Sequence, residues 1–107
     1  GDGGISMILG ELLTASRYGL PVRIIIINNG SLALEKNKMI SAELSIEEVD
    51  LNNPDFVKLA QSCGLDAYRP QNIQELESIL DKTREIEKSV VIDIPTEDYM
   101  PSGTKLY

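Results

Sequence analysis

A chain of 107 residues, 42% apolar and 25% charged, can bury one small core and no more. Its net charge of −7, ten basic against seventeen acidic residues, argues against binding a nucleic-acid backbone, which needs clustered Lys and Arg. With no histidine and a single cysteine, Cys63, it lacks the means for His/Cys zinc sites, histidine triads or an internal disulfide, and a reducing cytoplasm is the expected compartment.

In chain order, apolar residues at Ile5, Ile8, Leu12 and Ala15 recur at steps of three and four and predict a helix over 5–18, with Met7 and Leu13 widening its stripe. Gly19 and Pro21 should end it. Gly10 inside the helix reads as a site of close packing. Val22 to Ile27 reads as a strand buried on both faces apart from Arg23. LALEKNKMI then suggests a short helix, and SAELSIEEVDLN, polar and without period, a loop. NNPDFVKLAQSCG predicts a helix with Asn53 as N-cap, Pro54 at its first position, an apolar face of Phe56, Leu59, Ala60 and Cys63, and Gly64 at its end. DAYRP predicts a short strand. A helix over NIQELESILDKTREIEK follows, capped by Asn72 with Glu75 three residues on, and showing Ile73, Leu76, Ile79 and Leu80 on one face. SVVIDIP is a buried strand, and TEDYMPSGTKLY an aperiodic surface tail.

Strands alternating with helices predict an α/β fold, a three-layer parallel sheet with helices on both faces. The chain opens on a Gly-rich turn that such folds usually feed from a preceding strand, so 1–107 reads as a partial domain, truncated at its N-terminal side. No apolar run approaches the roughly 20 residues of a membrane span, and GDGGISMILG has no basic leader.

Parallel sheets bind ligands beyond the carboxyl ends of their strands, and two turns fall on that edge. Gly1-Asp2-Gly3-Gly4 offers helix N–H groups and side-chain-free backbone, suited to phosphate. Asn28-Asn29-Gly30-Ser31 ends the first strand. Asp2, the Asn29 amide and a Ser31 carbonyl are hard oxygen donors that suit Mg²⁺. Read separately, GDGG is a flexible terminus or turn and NNG a turn; a helix and a strand between them return the chain to one edge, where they can meet.

GDG, then 24 residues, then NN resembles the cofactor motif of thiamine diphosphate-dependent enzymes. The longer stretches GDGGISMILGELLTASRYGLPVRIIIINNGSL, NNPDFVKLAQSCGLDAYRP and VVIDIP resemble the acetolactate synthase and pyruvate oxidase branch. The resemblance implies a thiamine diphosphate-binding fold in which Asp2, the Asn29 side chain and the Ser31 carbonyl hold Mg²⁺. Backbone around Gly1, Gly3, Gly4, Leu32 and Ala33 would contact the cofactor and its diphosphate. It further implies a homo-oligomer, a small 2-oxo acid such as pyruvate as substrate, and a pyrimidine-binding domain of the same or a neighbouring subunit that carries the activating glutamate. No residue of this chain takes that catalytic role, and the fragment alone is expected to be inactive. FAD is compatible with the full-length parent but would not be bound by this segment. The chain departs from the branch at Ala33, usually Gly, at Leu34, usually Phe or Met, and at Lys38, often Glu or Trp. Lys38 reads either as a contact for an acidic substrate group or as a surface lysine. The rival readings are a non-catalytic α/β interaction module that kept the fold and lost the cofactor, and a generic anion or nucleotide binder.

Overall fold

The computed structural model describes residues 1–97. Three strands form a parallel sheet: β1 (Arg23–Asn28), β2 (Asp66–Tyr68) and β3 (Val90–Pro95). Their order is β1-β3-β2, so the last strand lies in the middle. This explains why Val90 to Asp93 are all buried: β3 has a neighbour on each edge and helices above and below. The register sets Ile26 beside Asp93 and Tyr68 beside Ile92.

Side chains alternate across a strand, and the two faces are filled differently. On one face Leu12 of α2 (Glu11–Tyr18), Ile26, Phe56 and Ala60 of α4 (Phe56–Ser62), Leu65 and Val91 form the core, with Ile5, Leu9, Ile24, Leu59, Cys63 and Ala67 packed around it. Burying an aromatic such as Phe56 is worth roughly 1.5–3 kcal/mol relative to exposure. Cys63 sits there as a packing residue. On the other face lies α5 (Ile73–Lys82), which buries Ile79. The Lys82 ammonium stands 3.9 Å over the Tyr68 ring, and Arg23 Nη1 donates to the Leu80 carbonyl at 3.4 Å. The predicted three layers are therefore present. The second face is only partly covered: Ile25 and Ile27 of β1 remain 46% and 48% exposed among the described residues.

Several local expectations are corrected. The helix expected over 5–18 is two helices, α1 (Asp2–Ser6) and α2, joined by turns at 7–10. Between them the N–H groups of Met7, Ile8, Glu11 and Leu12 bond three residues back rather than four, a tighter winding. Met7, Ile8 and Leu13 are exposed, and Leu9 packs against the core instead. Gly10 does not mark close packing, since a methyl there would meet no atom within 4 Å. Tyr18, at the end of α2, is 70% exposed.

The cap of α4 is Asp55, whose Oδ1 accepts from the Val57 and Lys58 N–H groups, and not Asn53. Helix α5 stops at Lys82 instead of running to Lys88. Thr83 caps it, buried and donating its hydroxyl to the Ile79 carbonyl, and the charged residues beyond offer no apolar face to continue. Ile73 on α5 is exposed. Asn72 does cap α5, accepting from Glu75 N–H at 2.8 Å, while Glu75 reaches back to the Gln71 N–H rather than to that of Asn72. Gly19 and Gly64 end their helices with φ of +59° and +81°, a left-handed conformation that glycine adopts without strain. Helix α3 (Ala33–Ser41) forms as expected and buries no residue. Among the described residues no helix is long and apolar enough to cross a membrane. The greater part of the expected surface tail, 98–107, lies outside the described residues.

Candidate functional site

The turn after β1 is built by its own amides. Asn28 Oδ1 accepts the Gly30 N–H at 3.2 Å, and Asn29 Oδ1 accepts the Ser31 N–H at 3.2 Å. These are Asx turns, in which the side chain imitates the backbone. Gly30 takes a φ of +71°. The turn is then tied to the start of α1, because Asp2 Oδ2 accepts the same Gly30 N–H at 3.0 Å. Residues 28 positions apart are thus clasped at the carboxyl edge of the sheet.

Beside this clasp lies an open cleft of about 400 Å³. It is bordered by Gly1, Asp2, Gly3, Gly4, Asn29, Ser31, Leu32 and Ala33, all of the residues expected to hold the metal and the cofactor, together with Ile27, Leu34 and Glu35. The fold therefore brings the two turns together. Lys38 is exposed on α3 and does not border the cleft. A larger cavity, about 530 Å³, lies beside the start of β2 and the end of α5, between Asp66, Lys82 and Lys88. Its Asp66 and Lys88 neutralise one another at 3.1 Å, and it has no part in this clasp.

The donor chemistry of the cleft fits a small hard cation beside a phosphate. Asp2 is 2% exposed and places both of its hydrogen bonds on Oδ2, so Oδ1 accepts none among the described residues. Among those residues no group of three His, Cys, Asp or Glu side chains could hold a metal. One carboxylate with an amide and a carbonyl is the sparse set that Mg²⁺ takes when phosphate and water complete its shell. A side chain at Gly4 would meet no protein atom within 4 Å, so the backbone there is open to close approach. Gly3 is different: a methyl would come 2.8 Å from Leu32 Cδ2 and 3.2 Å from Leu51 Cδ1, so this glycine also serves packing.

Three features of the site escaped the sequence reading. The first is the return of the supposed loop. Leu32 N–H donates to the Val49 carbonyl and Leu51 N–H to the Gly30 carbonyl, both at 2.8 Å, pairing Ser31 with Asp50 across a bridge and bracing the turn. The apolar alternation Val49-Asp50-Leu51 was the available signal; Val49 is buried.

The second is Asn53, whose Nδ2 donates to Asp2 Oδ2 at 2.6 Å and to Asn28 Oδ1 at 3.4 Å. The third is a charged group behind the turn. Asn28 Nδ2 donates to Asp93 Oδ1 at 3.0 Å, and Arg69 holds Asp93 Oδ2 through Nε and Nη2, each at 3.0 Å. Arg69 Nη2 also meets Asp55 Oδ1 at 2.8 Å. The Lys58 N–H first, and then the Arg69 guanidinium, hold the Asp55 carboxyl below the ordinary carboxylate value. Asp55, followed by Asp93, raises the pKa of Arg69 in turn. Asp93 is fully buried and bonds across the sheet.

Comparison with known proteins adds the following. Residues 1–94 match the family described as thiamine pyrophosphate enzyme, C-terminal TPP binding domain. The chain is 38% identical over 101 residues to the acetolactate synthase large subunit of Haemophilus influenzae, covering 92% of this chain and 18% of that protein. It is 36% identical over 100 residues to the acetolactate synthase large subunit of Corynebacterium glutamicum, covering 87% and 16%. Its fold superposes on a thiamine diphosphate-dependent 4-hydroxybenzoylformate decarboxylase of Rhodococcus jostii RHA1 with a TM-score of 0.84 at 23% identity, over 92% of this chain and 19% of that one. The chain thus spans less than a fifth of the length of these proteins.

Proposed function

Since the chain belongs to the C-terminal TPP-binding domain family of thiamine pyrophosphate enzymes, we propose that its cleft binds the diphosphate of thiamine diphosphate through Mg²⁺. Asp2 Oδ1, the Asn29 amide oxygen and the Ser31 carbonyl would hold the metal. Gly1, Gly3, Gly4, Leu32 and Ala33 would line the diphosphate with backbone. The observation that carries this reading is the convergence of the two turns on one cleft, with a buried carboxylate bonded through one oxygen only. An amide as second ligand coordinates without adding negative charge beside a diphosphate.

When bound, the cofactor supplies the carbanion chemistry of 2-oxo acid cleavage. This chain's residues bind and orient its charged end. Asp2 would partly neutralise the metal and Asn29 would help to fix it, and the buried position of Asp2 strengthens its attraction. The whole protein is proposed to decarboxylate a small 2-oxo acid such as pyruvate and to ligate or oxidise the product. It would do so as a homo-oligomer in the cytoplasm, with a pyrimidine-binding domain completing the site. The 107 residues alone are expected to be inactive.

Calorimetric titration of the full-length chain with thiamine diphosphate and Mg²⁺ tests this. Metal-dependent binding that disappears in both Asp2→Ala and Asn29→Ala is the expected result. No binding by the wild type would overturn the reading. It would favour the alternative of an interaction module that kept the fold, to which Ala33 lends weight by adding a methyl at the cleft where the related branch usually has glycine.

A further inference from the structure

We propose that Asn53 is a positioning residue for the cation site: its amide occupies Asp2 Oδ2, so that Asp2 offers the metal one oxygen, favouring Mg²⁺ over the larger Ca²⁺. This rests on the reading of Asp2 as a metal ligand.

The orientation of the amides follows from the groups behind them. Arg69 pins the fully buried Asp93 with two N–H groups on Oδ2. Asp93 can only accept, so Asn28 must turn its NH₂ toward it and its Oδ1 forward. Asn28 Oδ1 and Asp2 Oδ2 are then two acceptors facing Asn53, whose Nδ2 has two hydrogens to give them, at 3.4 Å and 2.6 Å. The reverse orientation of Asn53 would set a carbonyl oxygen against a carboxylate. Asn53 is itself held in place: Pro54 disfavours helical backbone before it, and α4 is anchored just beyond by Phe56, which is 0% exposed.

Gly30 N–H and Asn53 Nδ2 together load Asp2 Oδ2 with two donors. A bidentate carboxylate would have to surrender them. Mg²⁺ keeps near-ideal octahedral geometry and takes one oxygen per carboxylate readily, whereas Ca²⁺ accepts six to eight oxygens and bidentate groups. Outer partners of this kind typically change metal affinity by about 10- to 100-fold.

The test is made on the full-length protein by measuring thiamine diphosphate binding as a function of Mg²⁺ and, separately, of Ca²⁺. Asn53→Ala is expected to weaken Mg²⁺-supported binding about 10- to 100-fold and Ca²⁺-supported binding by a clearly smaller factor, so that the ratio of the two affinities falls. Asn53→Ser, whose hydroxyl is too short to reach Asp2, should do the same, and serves if thermal unfolding shows that the alanine variant does not fold. Equal losses for both metals would assign Asn53 a merely structural role, and no loss would dismiss it; either overturns the proposal. Should wild type bind the cofactor and lose it in Asp2→Ala while the metal ratio is unmoved by the Asn53 changes, this inference fails alone. Absence of metal-dependent binding by the wild type removes it together with the proposed function.

Discussion

Asp55 accepts from two N–H groups at the start of α4 and from Arg69, and each of these donors stabilises its ionised form. Its pKa in the folded chain therefore lies below the ordinary 3.8. The sign of the linkage follows: the stability this carboxylate contributes is fully present above the unfolded value and is lost as pH falls through the folded one. Asp55→Ala should lower the melting temperature at neutral pH, and the gap from wild type should shrink as the pH is taken below about 4. A gap that stays constant down to strong acid would show that the carboxylate's charge is not what stabilises α4. Two residues earlier, Asn53 looks like the better cap in the sequence, being followed by Pro. Only the position of Asp2 and Asn28 in space decides that its amide turns to them instead.

At the scale of elements, the junction of α1 and α2 is the clearest departure from periodic reasoning. A helical repeat is legible from Ile5 to Ala15, yet tighter turns at 7–10 break it and change which residues face the core. Gly10 stands at this junction with helical φ and ψ of −59° and −23°, and a methyl there has open space. Gly10→Ala should therefore raise stability by about 0.4–1 kcal/mol, chiefly by restricting the unfolded chain. Chemical denaturation measures this directly; a loss of stability would mean that this junction needs glycine for a reason other than space. The strands and the helix ends at Gly19, Gly64 and Asn72 are more securely legible, since β-branched runs, glycines and caps are local signals. The bracing of the turn by residues 49–51 has only the three-residue alternation Val49-Asp50-Leu51 as its signal, because an isolated bridge is too short to stand out in a polar loop.

At the scale of the whole molecule, the sheet is apolar on both faces but covered unequally. Ile25 and Ile27, which share the less covered face of β1, are each more than two-fifths exposed. Contiguous apolar surface of this kind favours association. The 107-residue chain produced by itself is expected to self-associate, and light scattering at rising concentration should report masses above that of the monomer. Ile25→Thr with Ile27→Thr should reduce the association. A strictly monomeric wild-type chain would show that this face is compatible with water as it stands.

The α/β class, the succession of most elements and the two turns whose residues line the cleft are legible along the chain, because periodicity, caps and glycine act over a few residues. It also carried the family resemblance, since a GDG and an NN at a set spacing need no folding to be read. That β3 lies between β1 and β2, and that Asn28, Asn53, Arg69 and Asp93 stand behind Asp2, emerges from the folded chain alone. Those residues come from four separate stretches of chain. Their hydrogen bonds exist only after the sheet has set its register, and no local pattern encodes a contact made across it.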